Sequence, residues 1–227
     1  KELIDKVQTL ICGTSGESSI EYFAVKEARR LGVYTIAVLD HWVNYKKRFV
    51  RNGIEVYPDE IWVTDNKAYD LAREAFSATK VCLKPNLYLE KLVMNTKSAK
   101  IENEGQILYV TGGERLNIEF DALDLLLSKL DVIGFSKDHK IVIRPHPNDN
   151  TDRYGSWLLL KSESHNIVIN NESELADLIG QSKVVVGRET YALVVAVHSN
   201  KRVICSLPKG AGNCLLPFKE IEMLRDL

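Results

Sequence analysis

This 227-residue chain lacks several things, and each absence closes off a class of protein. No apolar run approaches the roughly 18 residues that cross a bilayer, so no transmembrane segment is expected, and no signal peptide is recognisable. An excess of one charge is missing too: 30 Lys and Arg stand against 31 Asp and Glu, a formal net charge of -1. Without a long-range field, binding to nucleic acid or an anionic membrane through bulk electrostatics is not expected, and any anion must be held locally. Four cysteines, Cys12, Cys82, Cys205 and Cys214, show no CxxC spacing. Three lie in or beside apolar strand-like runs, where a free thiol behaves as a small hydrophobe, which predicts a reducing, cytoplasmic compartment. His139, His165 and His198 lack ligand-like spacing to acids or cysteines, so neither a metal nor another cofactor is expected. There is no repeat of fixed period and no low-complexity tract.

What is present is a globular balance, 45% hydrophobic and 27% charged, enough to build a core and to exclude disorder. Short β-rich runs alternate with helical periodicity. Thr9–Gly13 reads as a buried strand, followed by Ile20, Phe23, Ala24, Ala28 and Leu31 at helical spacing, with Ser18 and Glu21 as a capping box and Gly32 as the stop. Tyr34–Leu39, Ile61–Thr64 and Val81–Leu83 read as further strands, and Asp65 as the N-cap of a helix. Asn95–Gly105, poor in apolar residues, reads as a linker.

A second set then begins with the strand Ile107–Thr111, the pair Gly112-Gly113, and a helix with Phe120, Leu123, Leu126, Leu130 and Ile133 on one face. Lys140–Arg144, Ile167–Asn170, Val184–Val186 and Arg202–Ser206 complete five strands, and Pro217–Leu227 reads as a closing helix. Alternating strands and helices predict parallel pairing with right-handed crossovers. The expected fold is α/β, two Rossmann-like parallel-sheet domains, the first (residues 1–95) abbreviated and the second (residues 105–227) doubly wound.

In open parallel sheets a ligand sits beyond the carboxyl ends of the strands, where loops run into helix N-termini. That rule selects the loops rather than any signature motif. Gly13–Glu17 has small residues whose N–H groups can approach a phosphate, carboxylate or sugar hydroxyl; a tight turn capped by Ser15 or Ser18 reads equally well. Gly112-Gly113 is similar. In Arg144-Pro-His146-Pro147 two prolines deny the backbone a helix and fix the ring beside a permanent cation, which suits phosphate recognition or proton donation; a structural turn is the alternative. Arg188, Glu189 and Thr190 precede a helix apolar nearly all round, Ala192–Val197. Its amides and Thr190 can take an anion and Glu189 can accept from ribose hydroxyls, or the two can serve only as cap and dipole complement. Asp40 and His41 end another strand, but neighbours there point to opposite sides. Trp42 and Tyr45 read as packing, and Lys46-Lys47-Arg48 as a solvated face.

The second half, about residues 105–227, resembles the donor-binding domain of GT-B glycosyltransferases, closest to bacterial enzymes with a His-Pro element such as sialyltransferases, Kdo transferases and CDP-glycerol glycerophosphotransferases. The residues that carry the resemblance are Gly112-Gly113, Arg144-Pro-His146-Pro147 and Gly187-Arg188-Glu189-Thr190 with the segments after them. It implies that His146 contacts the donor's phosphate and that Thr190 with Glu189 contacts the nucleotide. It also implies a nucleotide-sugar donor and a saccharide acceptor meeting in an interdomain cleft, in cell-surface polysaccharide biosynthesis. The acidic pair plus glycine that supplies the base in such sialyltransferases is absent from residues 1–95, and Glu17 and Asp40 are substitutes by position only. A nucleotide-sugar epimerase or hydrolase on the same fold, or a non-catalytic nucleotide-sugar-binding subunit, are the alternatives.

Overall fold

The computed structural model describes residues 7–15, 20–98, 105–112 and 117–227. The chain divides into two compact units, Lys1–Leu87 and Tyr88–Leu227.

The first unit contains β1 (Thr9–Cys12), α1 (Ile20–Arg30), β2 (Tyr34–Val38), β3 (Val50–Arg51), β4 (Ile54–Glu55), β5 (Glu60–Val63), α2 (Asn66–Ala75) and β6 (Lys80–Leu83). Its sheet runs β1-β2-β5-β6, every pair parallel. Gly32 adopts φ +73, a left-handed conformation that glycine takes without strain, and stops α1 while Val33 donates back to the Ala28 carbonyl at 2.9 Å. Asp65 caps α2 by accepting from the Ala68 N–H at 2.7 Å, as its place in the sequence predicts. Between β2 and β5 the chain makes a hairpin, β3–β4, turned by Asn52 and Gly53 at φ 51 and 75, the signature of a type I′ turn.

Register puts Thr35, Ala37, Ile61, Val63 and Val81 on one face of this sheet, all buried, with α1 and α2 packed on its strands. On the other face Ile11 is 54% and Tyr34 43% exposed. β1 is therefore a half-exposed strand at the sheet edge rather than the buried one its apolar run predicts, whereas Ile36 and Glu60 on the same face of the inner strands are buried.

The second unit holds α3 (Leu87–Ser98, its first residue still in the first unit), β7 (Gln106–Val110), α4 (Asn117–Ser128), β8 (Ile141–Arg144), α5 (Gly155–Ser162), β9 (Ile167–Ile169), α6 (Leu175–Gly180), β10 (Ser182–Gly187), α7 (Tyr191–His198), β11 (Arg202–Cys205) and β12 (Ile221–Met223). Its order is β12-β11-β10-β7-β8-β9, all parallel. The strands wind one way from β7 to β9 and the other way from β10 to β12, so the order reverses between β7 and β10. Residues on both faces of the two central strands are buried: Ile107, Leu108, Tyr109, Val184, Val185 and Val186 are all fully enclosed. Each such aliphatic side chain stabilises the fold by roughly 1.5–3 kcal/mol through burial.

Three expectations are corrected here. Pro217–Leu227 is not a helix: Ile221–Met223 forms β12, and Leu224–Asp226 a short 3-10 turn. The backbone edge of β11 is open to pairing, Arg202 forms a two-bond ion pair with Glu222, and Ile221 and Leu224 are buried, so the same apolar spacing is satisfied by a sixth strand. Residues 95–98 of the expected linker are the last turn of α3, where Thr96 is buried and its hydroxyl donates to the Leu92 carbonyl. The helix after β7 ends at Ser128; Leu130 and Ile133 lie beyond it and are still core.

Candidate functional site

The reversal of strand order between β7 and β10 makes the carboxyl ends of these strands and of β8 the crevice of the second unit. Gly187, at the end of β10, is a glycine for a packing reason. A Cβ there would stand 2.7 Å from the Val110 carbonyl and 2.8 Å from its Cγ2, so any side chain would push β7 and β10 apart.

The loop after β8 carries His146. Pro145 is buried and His146 exposed. The ring is held through its backbone: its N–H donates to Thr111 Oγ1 at 2.8 Å, and its carbonyl accepts from the Asp149 N–H at 2.8 Å. Nδ1 accepts from the Asn148 N–H at 3.2 Å, which in the neutral ring places the proton on Nε2 and makes that nitrogen the donor. Beneath the loop lies Asp149, its side chain wholly enclosed. Its Oδ2 accepts from Thr111 at 3.0 Å and from the Tyr154 hydroxyl at 2.6 Å, and Arg153 pairs with Oδ1 at 3.0 Å. Burial, and then the bond to Asp149, push the Tyr154 phenol pKa up. Arg153 in turn lies over the rings of Tyr154 and Phe120. Arg144 donates to the Asn170 carbonyl at 3.4 Å, a long contact that leaves the guanidinium beside the same loop.

At the end of β10, Thr190 caps α7 by accepting from the Ala192 N–H at 3.1 Å, and Glu189 accepts the Leu215 N–H. Thr190 thus takes the capping role foreseen as its alternative, whereas Glu189 holds a loop amide 26 residues on, a role the sequence did not suggest. Arg188 is buried and ion-paired to Glu119 at 2.8 Å; Glu119 also accepts from the Gly112 N–H at 2.9 Å and from the Tyr109 hydroxyl at 2.6 Å. Tyr191, first residue of α7, stacks on Tyr88 of α3 with ring centroids 6.2 Å apart, and Tyr88 is 66% exposed. Gly113 lies outside the described residues.

In the first unit, Asp40 stands beyond β2 with its side chain 74% exposed, paired with Arg48 at 3.0 Å. Arg48 is the surprise of its basic run: its side chain is only 9% exposed, and it also donates to the carbonyl and hydroxyl of Thr14 at 2.7 and 3.0 Å. The solvated face read from Lys46-Lys47-Arg48 is thus corrected at Arg48, whose guanidinium ties the loop after β1 to the end of β2. His41 accepts the Trp42 N–H on Nδ1, and Trp42 and Tyr45 are buried, as their reading as packing residues predicts. Glu17 and Ser18 lie outside the described residues, and Glu21 accepts from the Ser15 hydroxyl at 3.3 Å. Among the described residues no three His, Cys, Asp or Glu side chains are grouped to hold a metal ion, and no helix is long and apolar enough to cross a membrane.

Sequence reasoning missed Glu119, Asp149 and Arg48. Only Glu119 carried a signal: it falls on the same helical stripe as Leu123 and Leu126, an acid on a core-facing row. Asp149 sits in a loop and Arg48 in a single 3-10 turn, Lys46–Phe49, both too short for periodicity to expose a buried charge.

No family model and no curated protein matches this sequence. Solved structures do resemble it. UDP-GlcNAc 2-epimerase from Methanocaldococcus jannaschii aligns with a TM-score of 0.55 at 15% identity, covering 90% of this chain and 64% of that one. The chain therefore spans less than two thirds of that protein's length. Lower scores are found for the pneumococcal O-GlcNAc transferase GtfA solved with UDP and GlcNAc (TM-score 0.43, 12% identity, covering 83% of this chain and 45% of that one). The same holds for the beta Kdo 2,7 transferase KpsC of Thermosulfurimonas dismutans (TM-score 0.35, 15% identity, covering 89% and 77%). At these identities the likeness is one of fold. That fold is α/β with two Rossmann-like parallel-sheet units, the first abbreviated to four parallel strands against six among the described residues.

Proposed function

We propose that the chain is a glycosyltransferase-like enzyme that binds a nucleotide-activated sugar at the strand ends of its second unit. The observation that carries this reading is the place and state of His146. It is exposed at the end of the strand next to the reversal point, its backbone is fixed by Thr111 and Asp149, and its Nδ1 is engaged so that in the neutral ring Nε2 is the donor. A fixed donor beside Arg144 can stabilise charge developing on a departing phosphate without reorganising. The N-terminus of α7 adds its dipole at the neighbouring strand end. Within this reading Arg144, His146 and the turn Arg188-Glu189-Thr190 form the donor side, while the Gly112 amide, expected to join them, is already bound to Glu119. Asp40 and Glu17 are the candidates for the base that takes the acceptor's proton. Surface polysaccharide synthesis in a bacterial cytoplasm is the proposed setting, supported by the four free cysteines and the resemblance of the His-Pro segment.

The test is a thermal-shift series with CMP-, CDP-, UDP- and GDP-linked sugars, followed by turnover of whichever binds. A ligand present at a hundred times its Kd raises stability by about 2.7 kcal/mol. His146→Ala is expected to cut turnover by roughly a hundredfold or more while leaving the melting temperature of the free protein unchanged. Equal turnover by the variant would remove His146 from the chemistry.

A second reading, that the donor is epimerised or hydrolysed rather than transferred, is favoured by one finding: a UDP-GlcNAc 2-epimerase is among the solved structures of similar fold, with a TM-score of 0.55. Release of free nucleotide without any acceptor separates the two.

A further inference from the structure

At the reversal point of the second unit an anion is already in place, and it belongs to the chain. Glu119 lies in the first turn of α4 and its side chain is wholly enclosed. Four donors from three segments converge on its carboxylate: the Tyr109 hydroxyl at 2.6 Å, the Gly112 N–H at 2.9 Å, and Nε and Nη2 of Arg188 at 3.1 and 2.8 Å. A glycine amide and a guanidinium at the end of the first strand of a Rossmann-like sheet are groups that can receive a phosphate. Here they are turned on a side chain. The glycine serves the same arrangement, for a Cβ on Gly112 would lie 2.4 Å from Nη2 of Arg188 and 3.0 Å from its Cζ. The room at position 112 is taken by the guanidinium.

We propose that Glu119 is an internal anion filling the phosphate position of this turn. It is a specificity-determining residue that fixes Arg188 and excludes a nucleoside diphosphate from the Gly112 amide and the Arg188 guanidinium. This deepens the nucleotide-sugar reading above and rests on it for its biological meaning. A phosphate brought to Gly112 would meet a buried carboxylate in a low-dielectric site, where like charges repel strongly. The phosphates of a donor are therefore left to the ends of β8 and β10, at His146 and the N-terminus of α7. Arg188 supports that edge through its backbone, since its carbonyl accepts the Cys205 thiol at 3.0 Å and the next two residues lead into the helix.

Emptying the position tests the proposal, because a merely structural residue can only lose something on removal whereas an internal ligand leaves a vacancy that binds. Glu119→Ala is expected to melt below the parent protein. Sodium formate, compared with chloride at equal ionic strength, should raise the melting temperature of the variant and leave the parent's unchanged. Inorganic pyrophosphate should bind the variant about tenfold or more tightly than the parent, the value of regained charge-assisted hydrogen bonds. No gain with either anion would overturn the proposal. Should Glu119→Ala not fold, Glu119→Gln and the pair Glu119→Gln with Arg188→Met decide the matter. The single variant must melt lower than the parent and the double must recover part of that loss; a single variant as stable as the parent overturns it. These readings need no nucleotide. Parent protein that ignores every nucleotide-linked sugar sinks the functional reading alone, and formate rescue still judges Glu119.

Discussion

Thr111 holds His146 from behind: the hydroxyl at the end of β7 receives the backbone N–H of the histidine on the next strand's loop, 2.8 Å away. The same oxygen donates to the enclosed carboxylate of Asp149 at 3.0 Å, so one small side chain, itself 2% exposed, fixes the loop in two directions.

Replacing that hydroxyl by a methyl, Thr111→Val, keeps the volume and strips both bonds. An amide and part of a buried carboxylate lose their partner, which is expected to cost about 1–3 kcal/mol in chemical denaturation. Amide exchange at His146 should accelerate at the same time. Exchange and stability equal to the parent's would show that the loop is held by something else.

Acid should weaken the first unit through Glu60. The Lys80 ammonium, then Cys82 and the Trp62 indole, bond to this carboxylate and lower its pKa to about 2. Its ordinary value is 4.5, so between the two the unfolded chain binds the extra proton. The stabilisation is complete above pH 4.5 and fades as pH falls through about 2. Denaturation curves of the parent and Glu60→Gln should differ most near neutral pH and converge as pH falls towards 2. A gap that stays constant with pH would mean that the ion pair contributes nothing in solution.

The four thiols should differ in reactivity. Burial raises the pKa of Cys12, and the Glu60 carboxylate followed by burial raises that of Cys82. Where Cys205 and Cys214 adjoin, their interaction, followed for Cys205 by burial, pushes Cys205 up and lowers Cys214. The thiolate is the nucleophile, so substoichiometric iodoacetamide at neutral pH should label Cys214 first. Peptide mapping that finds another cysteine labelled faster would reject this order.

How much of this was legible beforehand depended on where each residue sits. Strands such as Val184–Val186 and the cap at Asp65 could be read because an apolar run or a side chain beside its own helix carries the signal locally. The hairpin at Asn52-Gly53 was equally legible from its dipeptide and went unread. The strand at Ile221–Met223 was not, since apolar residues three apart fit a helix as well as a short strand with a turn, and the free edge of β11 decides between them.

Composition and pattern alone determined that this is an α/β chain of parallel strands whose loops before helices are the places to look, because burial periodicity and turn chemistry act within a few residues. Tertiary structure alone decided where the strand order reverses and that Arg188 and Gly112 face Glu119. Those facts depend on groups far apart in sequence, 69 positions for Arg188 and Glu119 and 76 for Gln106 and Ser182, paired across the central strands. Nothing in the local chain encodes that distance.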